Sequence, residues 1–287
     1  MTQAAFPPRV RANVSPYPIL KWAGGKGQLL APLMEAILRA GPIQRYHEPF
    51  LGGGALFFAL AGRGLLGRRR AFLSDANGRL IEMYQAVADS AGEIIRLLHE
   101  HANKHCAEHY YAVRAAIPAC PPAPAARLIY LNRTCFNGLY RENARGLFNV
   151  PMGRYANPRI CDESNLLAAS AVLKRARLHH RDFEQASADV APGDFVYFDP
   201  PYDPVSSTAC FTGYHAELFT RADQERLANT FARLHKRGAK LLLSNSDTPF
   251  IRSLYGGFTI ETVYARRNVN SHPARRGPVA EVLVRNF

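Results

Sequence analysis

Asp199, Pro200, Pro201 and Tyr202 stand in a row after the apolar run Phe195-Val196-Tyr197-Phe198. That run reads as a buried strand. Prolines cannot donate to a sheet ladder, so they end one. A turn of this composition also gathers a carboxylate, a carbonyl and an aromatic ring at a strand end. Two acceptors beside a flat ring suit an amino group. The motif alone does not choose between nucleobases and other amines.

A second set of residues points to a nucleoside. Ile43–Glu48 reads as a strand leading into Gly52-Gly53-Gly54, where bare backbone lets a ligand approach closely. Asp75 ends the next strand, about 20 residues on, the spacing at which a carboxylate meets ribose hydroxyls. The third glycine of a dinucleotide fingerprint would fall at Phe57, so that pattern is incomplete. Upstream, LKWAGGKGQLL (20–30) resembles a phosphate-binding loop only superficially. Leu20 stands where its first glycine belongs, and Gly27 replaces the hydroxyl residue that would hold magnesium. Triphosphate hydrolysis is thereby excluded. Lys26 remains available to a carboxylate, and Trp22 to a ligand or a cation.

These residues need a frame, and the surrounding pattern supplies an α/β one. Residues 43–75 read strand, glycine turn, helix, strand, with the basic connection Arg68–Arg70 before Ala71–Asp75. From Asn77 to about Asn165 strand signals are scarce, and Arg79–Leu98 and Ala125–Leu131 have helical periodicity. Residues 132–155 are rich in Arg, Asn, Gly and aromatics, too polar for a core. Alternation returns at Arg177–His180, followed by Asp182-Phe183. Thr220 and Asp223 mark a capping-box start to a helix that stops at Gly238. Lys240–Leu243, Phe258–Tyr264 and Ala280–Val284 read as strands. The expected layout is a tail over 1–15, a catalytic α/β domain over 16–76 and 166–287, and a mostly helical insertion over 77–165.

Composition limits the partners. The formal charge of +13 favours a polyanion over a neutral partner. No apolar run reaches membrane-spanning length, and the N-terminus lacks the apolar core of a secretory signal. The five cysteines form no CxxC pair and are expected as reduced, cytoplasmic thiols. His101, His105 and His109 recur every four residues, but no second ligand group accompanies them, and no metal is expected.

Four ordered blocks then carry a resemblance: PYPILKWAGGK (16–26), EPFLGGGALFF (48–58), NRTCFNGLYRENARGLFNVPMGRY (132–155) and YFDPPYDPVSSTACFTGYH (197–215). In this order they resemble the Dam family of DNA adenine-N6 methyltransferases, over roughly residues 16–287. The resemblance implies a Rossmann-like, S-adenosylmethionine-dependent methyltransferase sheet with an inserted target-recognition domain. It carries cofactor contacts to Trp22, Lys26, Glu48, Phe50, Gly52, Gly54, Asp75, Asp182, Phe183 and Asp199. It carries catalysis to Asp199, Pro200, Pro201 and Tyr202. It carries contacts with double-stranded DNA to Asn132, Arg133, Asn137, Leu139, Arg141, Pro151 and Arg154. Family members often read GATC. Two positions depart from the pattern: Ala55, where Ser commonly follows the glycines, and Tyr140, where Cys is often found. Asp at 199 favours adenine over the alternative of cytosine-N4 methylation. A non-catalytic DNA-binding protein that keeps the fold is the other alternative, and the intact Lys26, Asp75, Asp199 and Tyr202 argue against it. No obligate protein partner is expected, and the expected location is the cytoplasm of a bacterial or phage-infected cell.

Overall fold

The computed structural model describes residues 14–22, 24–67, 71–204, 219–266 and 278–287. Most of the expected tail, Arg68–Arg70, Cys210 and the 205–215 part of the last motif block lie outside the described residues.

Helix α1 (Leu30–Ala40) buries Leu33, Met34, Ile37 and Ala40 at helical spacing. Motif reading passes over it because Leu29 stands at its N-cap with no side-chain bond. Strand β1 (Tyr46–Glu48) runs through the glycine turn into α2 (Ala55–Gly62) and β2 (Ala71–Asp75), which pairs with β1 in parallel. This is the expected βαβ unit, with β1 shorter than the expected strand over Ile43–Glu48. Helix α3 (Gly78–Asn103) is capped by the Asn77 side chain and kinked at Ser90. It is followed by α4 (Ala107–Ala115) and α5 (Ala123–Thr134). A 3-10 turn at Phe136–Gly138 leads into an irregular hairpin, bridged at Cys135–Met152 and Glu142–Phe148. Helix α6 (Glu163–Leu173) then returns the chain to the sheet. There follow β3 (Ala176–His180), α7 (Phe183–Ala186), β4 (Phe195–Phe198), α8 (Arg221–Lys236), β5 (Lys240–Ser246), α9 (Pro249–Leu254), β6 (Thr259–Arg266) and β7 (Pro278–Arg285). Helix α8 begins on the expected capping box of Thr220 and Asp223, and Gly238 follows it at φ 81°.

The sheet order is β3-β2-β1-β4-β5-β7-β6, with β7 antiparallel to both neighbours and the other pairs parallel. The direction of winding reverses between β1 and β4. Such a switch point opens a crevice at the carboxyl ends of the strands. The glycine turn, Asp75, Asp182, Asp199 and Ser244–Ser246 all fall at those ends. Both faces of β4 are covered: Phe195 and Tyr197 join one apolar core, and Val196 and Phe198 the other. That is why Phe195–Phe198 is a continuous apolar run and not an alternating one.

The boundary expected at residue 77 falls on the cap of α3. This helix packs on β2 and β3 as well as on α5 and α6. Leu73 of β2, Tyr84 of α3 and Tyr130 of α5 lie in one apolar cluster. The insertion therefore shares its core with the sheet. The three histidines do not share a helix, because α3 ends at Asn103 and α4 starts at Ala107. They gather around Tyr130 instead: His105 Nδ1 lies 2.9 Å from its hydroxyl and the His101 ring stacks on it at 4.6 Å. Among the described residues no group of three or more His, Cys, Asp or Glu could hold a metal, and no helix is long and apolar enough to cross a membrane. The described cysteines are free thiols.

Candidate active site

Asp199 leaves β4 into a charged and aromatic setting. Lys26 Nζ lies 2.8 Å from its Oδ1, and Ser244 Oγ donates to the same oxygen at 2.9 Å. Ser244 is held in turn by the Tyr197 hydroxyl at 2.9 Å. Lys26 Nζ also donates to the Gly24 carbonyl at 2.8 Å and sits 4.5 Å from the centre of the Tyr202 ring. Burial pushes the Asp199 pKa up, and the Lys26 ammonium pulls it back toward the ionised form. The Tyr202 hydroxyl donates to Glu281 Oε2 at 2.8 Å, so the ring is fixed at both its face and its tip.

The glycine turn is bound to Asp75 from the side and to α3 from below. The Gly52 amide donates to Asp75 Oδ2 and the Asn77 amide to Asp75 Oδ1, both at 2.9 Å. The Tyr84 hydroxyl donates to the Gly52 carbonyl at 3.0 Å. Gly52 lies at φ 48°, where a side chain is strained. A Cβ there would also come within 3.1 Å of Trp22, and one on Gly53 within 3.2 Å. Trp22 thus lies against bare backbone, and its ring is 5.1 Å from that of Tyr140 in the hairpin.

Glu48 departs from the expected ligand contact. It is 2% exposed, and its carboxyl accepts from the Tyr46 hydroxyl at 2.8 Å and from the Phe57 amide. It props the turn from inside the core. Burial pushes its pKa up to about 8, against the hydrogen bonds that favour the anion. An unfolded Glu ionises at about pH 4.3. Between those values the folded chain binds the extra proton, so stability falls as pH rises through the window. Glu48→Gln, which cannot ionise, is expected to flatten that fall. Melting temperatures of both proteins across the window check this, and parallel curves would refute it.

Phe50 stacks on Phe183 with centroids 5.4 Å apart, and Phe219 closes on both. Phe183 is buried beneath this cluster. Asp182 caps α7 through the Glu184 amide at 2.9 Å and accepts from Arg226 at 2.9 Å. Its carboxylate is therefore bonded to protein groups that orient it.

The hairpin divides the expected DNA contacts. Asn132 is fully buried: its amide bonds the Lys21 backbone at both N and O and the Gly138 carbonyl, all within 3.0 Å. It ties the hairpin to the segment before Lys26 and presents nothing to DNA, which corrects the expected contact. Arg133 is half-buried beside Asp162; burial draws its pKa down and the Asp162 carboxylate pulls it back up. Asn137 is exposed at φ 55°, and Leu139, Arg141, Pro151 and Arg154 are exposed with it. Arg141 Nε donates to Asn149 Oδ1 at 2.7 Å across the hairpin, which steers its guanidinium. Phe136, 49% exposed at the base of the hairpin, escapes sequence reading because an aromatic next to Cys135 looks like core. Ser244 and Glu281 also escape it, although polar Ser244-Asn245-Ser246 closing an apolar strand is a signal.

The model of the D12 class N6 adenine-specific DNA methyltransferases matches residues 22–269. The chain belongs to this family. The type II methyltransferase M.MjaIII of Methanocaldococcus jannaschii is 40% identical over 94% of this chain and 99% of its own length. M1.LlaDCHI of Lactococcus lactis subsp. cremoris, also a type II methyltransferase, is 38% identical over 94% and 95%. The DNA adenine methylase of Escherichia coli K12 is 35% identical over 92% and 93%. The protein is a D12-class enzyme, an adenine-specific DNA methyltransferase with a Rossmann-like sheet, and S-adenosylmethionine is its cofactor. The described residues fit that cofactor. A cradle that a Cβ would fill at Gly52 and Gly53 lies beside the Asp75 carboxylate, and the Phe50–Phe183 pair offers an apolar face.

Proposed function

We propose that this D12-class enzyme methylates N6 of an adenine turned out of duplex DNA, within GATC. The observation that carries the reading is Asp199, held through one oxygen by Lys26 and Ser244 beside the Tyr202 ring. S-adenosylmethionine supplies an electrophilic methyl group. The rest is positioning by the chain. The N6 lone pair is delocalised into the purine ring. Among the described residues Asp199 Oδ2 takes no hydrogen bond, which leaves it to accept one N6 hydrogen. The Pro200 carbonyl accepts the other. Two acceptors turn the lone pair out of the ring plane, toward the methyl group; as N6 gains the methyl from sulfur it loses one hydrogen as a proton, to Asp199 or to water. Tyr202 stacks on the base. Effective molarity of this kind contributes about 7–11 kcal/mol to lowering a barrier.

Trp22, Lys26, Gly52, Gly54, Asp75 and the Phe50–Asp182–Phe183 group hold the cofactor in this reading, with Glu48 as support. Turning the base out costs about a few kcal/mol. The charge of +13, with exposed Arg154 and Lys21, offsets this through phosphate contacts. Arg141, Asn137, Leu139 and Pro151 form the reading edge, and exposed Phe136 is suited to the gap left by the base. The cytoplasm of a bacterial or phage-infected cell is the fitting location. Mapping modified bases in DNA from cells that express the protein tests the reading. N6-methyladenine in GATC is the expected product. N6-methyladenine in another site would overturn the specificity, and N4-methylcytosine would overturn the chemistry.

A further inference from the structure

The stretch that has to aim two acceptors is poor in ways of being held. Neither Pro200 nor Pro201 has an amide hydrogen, so the peptide between them cannot be anchored by donation. Its orientation depends on what holds the chain on either side. Upstream, Lys26 and Ser244 hold Asp199. Downstream, a buried amide pair does the work. Gln224 Nε2 donates to the Pro201 carbonyl at 2.8 Å. Gln224 Oε1 accepts from Asn245 Nδ2 at 3.1 Å. Asn245 Oδ1 accepts from the Asp203 amide at 3.1 Å. Gln224 is 2% exposed and Asn245 0%. Each amide has donor and acceptor matched, so neither can flip without losing a bond. Gln224 lies in the first turn of α8, directly after the capping box, and its backbone is anchored to Thr220 at 3.0 Å.

We propose that Gln224 and Asn245 are positioning residues for methyl transfer: together they lock the backbone at Pro201 so that the Pro200 carbonyl meets the substrate amine. The ring fixes φ of Pro201, the Gln224 bond fixes the direction of its carbonyl, and the Asn245 bond fixes where the chain goes next. This rests on the amino-group chemistry proposed above. It adds that α8 and β5, which supply no group to the substrate, set the rate.

The test uses the full chain with Gln224→Met, which keeps length but can neither donate nor accept, and Gln224→Glu, which keeps shape but opposes the Pro201 carbonyl with an acceptor. Single-turnover methyl transfer at saturating DNA and donor is expected to fall about 10- to 100-fold, the effect of misplacing a reacting group by about 1 Å. Donor and DNA dissociation constants are expected to stay within about threefold, since a 1.4 kcal/mol change would be tenfold. A duplex with 2-aminopurine at the target position is expected to give the same fluorescence rise as with wild type, because base extrusion does not use the Pro200 carbonyl. An unchanged single-turnover rate overturns the proposal. So does a rate loss matched by loss of affinity or of the fluorescence rise, and so does failure of both variants to fold, which would make the pair merely structural. The wild-type enzyme is the control for the underlying reading: if it transfers no methyl group to adenine, that reading fails and not this one.

Discussion

Asp199→Ala loses methyl transfer by about 10²- to 10⁴-fold, the range of a positioned proton acceptor, while donor and DNA binding stay measurable. The expectation follows from where the carboxylate sits. It is half-buried at a strand end and tied by one oxygen to Lys26 and Ser244. Removing it takes away an acceptor for the amine and leaves the Lys26 ammonium, among the described residues, with the Gly24 carbonyl and the Tyr202 face. Asp199→Asn separates these effects, because it keeps the volume and one acceptor but removes the charge. The pH profile gives an independent reading. Ionised Asp199 offers Oδ2 purely as an acceptor, whereas protonation turns one carboxyl oxygen into a donor and removes the charge, so the rate falls as pH drops through its pKa. Burial raises that pKa and Lys26 lowers it. Lys26→Met therefore moves the acid limb of the single-turnover rate to higher pH. Undiminished transfer by Asp199→Ala, or an acid limb that stays put in Lys26→Met, would sink the mechanism.

Arg141→Ala is expected to relax sequence preference by about 1–3 kcal/mol at one base pair, the worth of a bidentate guanine contact. Arg141 is exposed on the hairpin, and Asn149 engages its Nε at 2.7 Å, a bond that does not use the two terminal nitrogens a bidentate contact needs. Asn149→Ala frees the guanidinium and is expected to act in the same direction, more weakly. Rates on a cognate duplex and on single-base variants of it measure the preference. A uniform loss on all duplexes, with the ranking intact and a shallower salt dependence, would make Arg141 a phosphate contact.

Much of the frame could be read from the chain. The capping box at Thr220 and the stop at Gly238 are local chemistry, and α8 starts and ends on them. The continuous apolar run Phe195–Phe198 reads as a buried strand and Lys240–Leu243 as another, and β4 and β5 lie there. Helix α1 was not legible, because its start has no capping side chain. Histidines spaced by four would share one face of an unbroken helix, but Lys104–Cys106 interrupts the helix between them. Spacing is informative only while the backbone stays periodic. Asn132 sits in a polar motif block and looked like a DNA contact. Its side chain instead satisfies the backbone of Lys21, 111 residues away in sequence. Residue type reveals that an amide needs partners and leaves open whether those partners are protein or ligand.

By itself the sequence determined the local pieces: a rigid Asp-Pro-Pro turn after a buried strand, a glycine turn before a helix, a carboxylate at the ribose spacing and a basic chain. These depend on backbone sterics, periodicity and charge, which neighbouring residues set. Only the tertiary structure decided which pieces meet. It brought Lys26 and Ser244 to Asp199, Glu281 to Tyr202, and the Gln224–Asn245 pair to the carbonyl of Pro201. It also turned Glu48 inward and merged the insertion with the core of the sheet. These outcomes follow from the crossover between β1 and β4 and from strands distant in sequence lying side by side. A hydrogen bond between such residues leaves no period and no spacing in the chain.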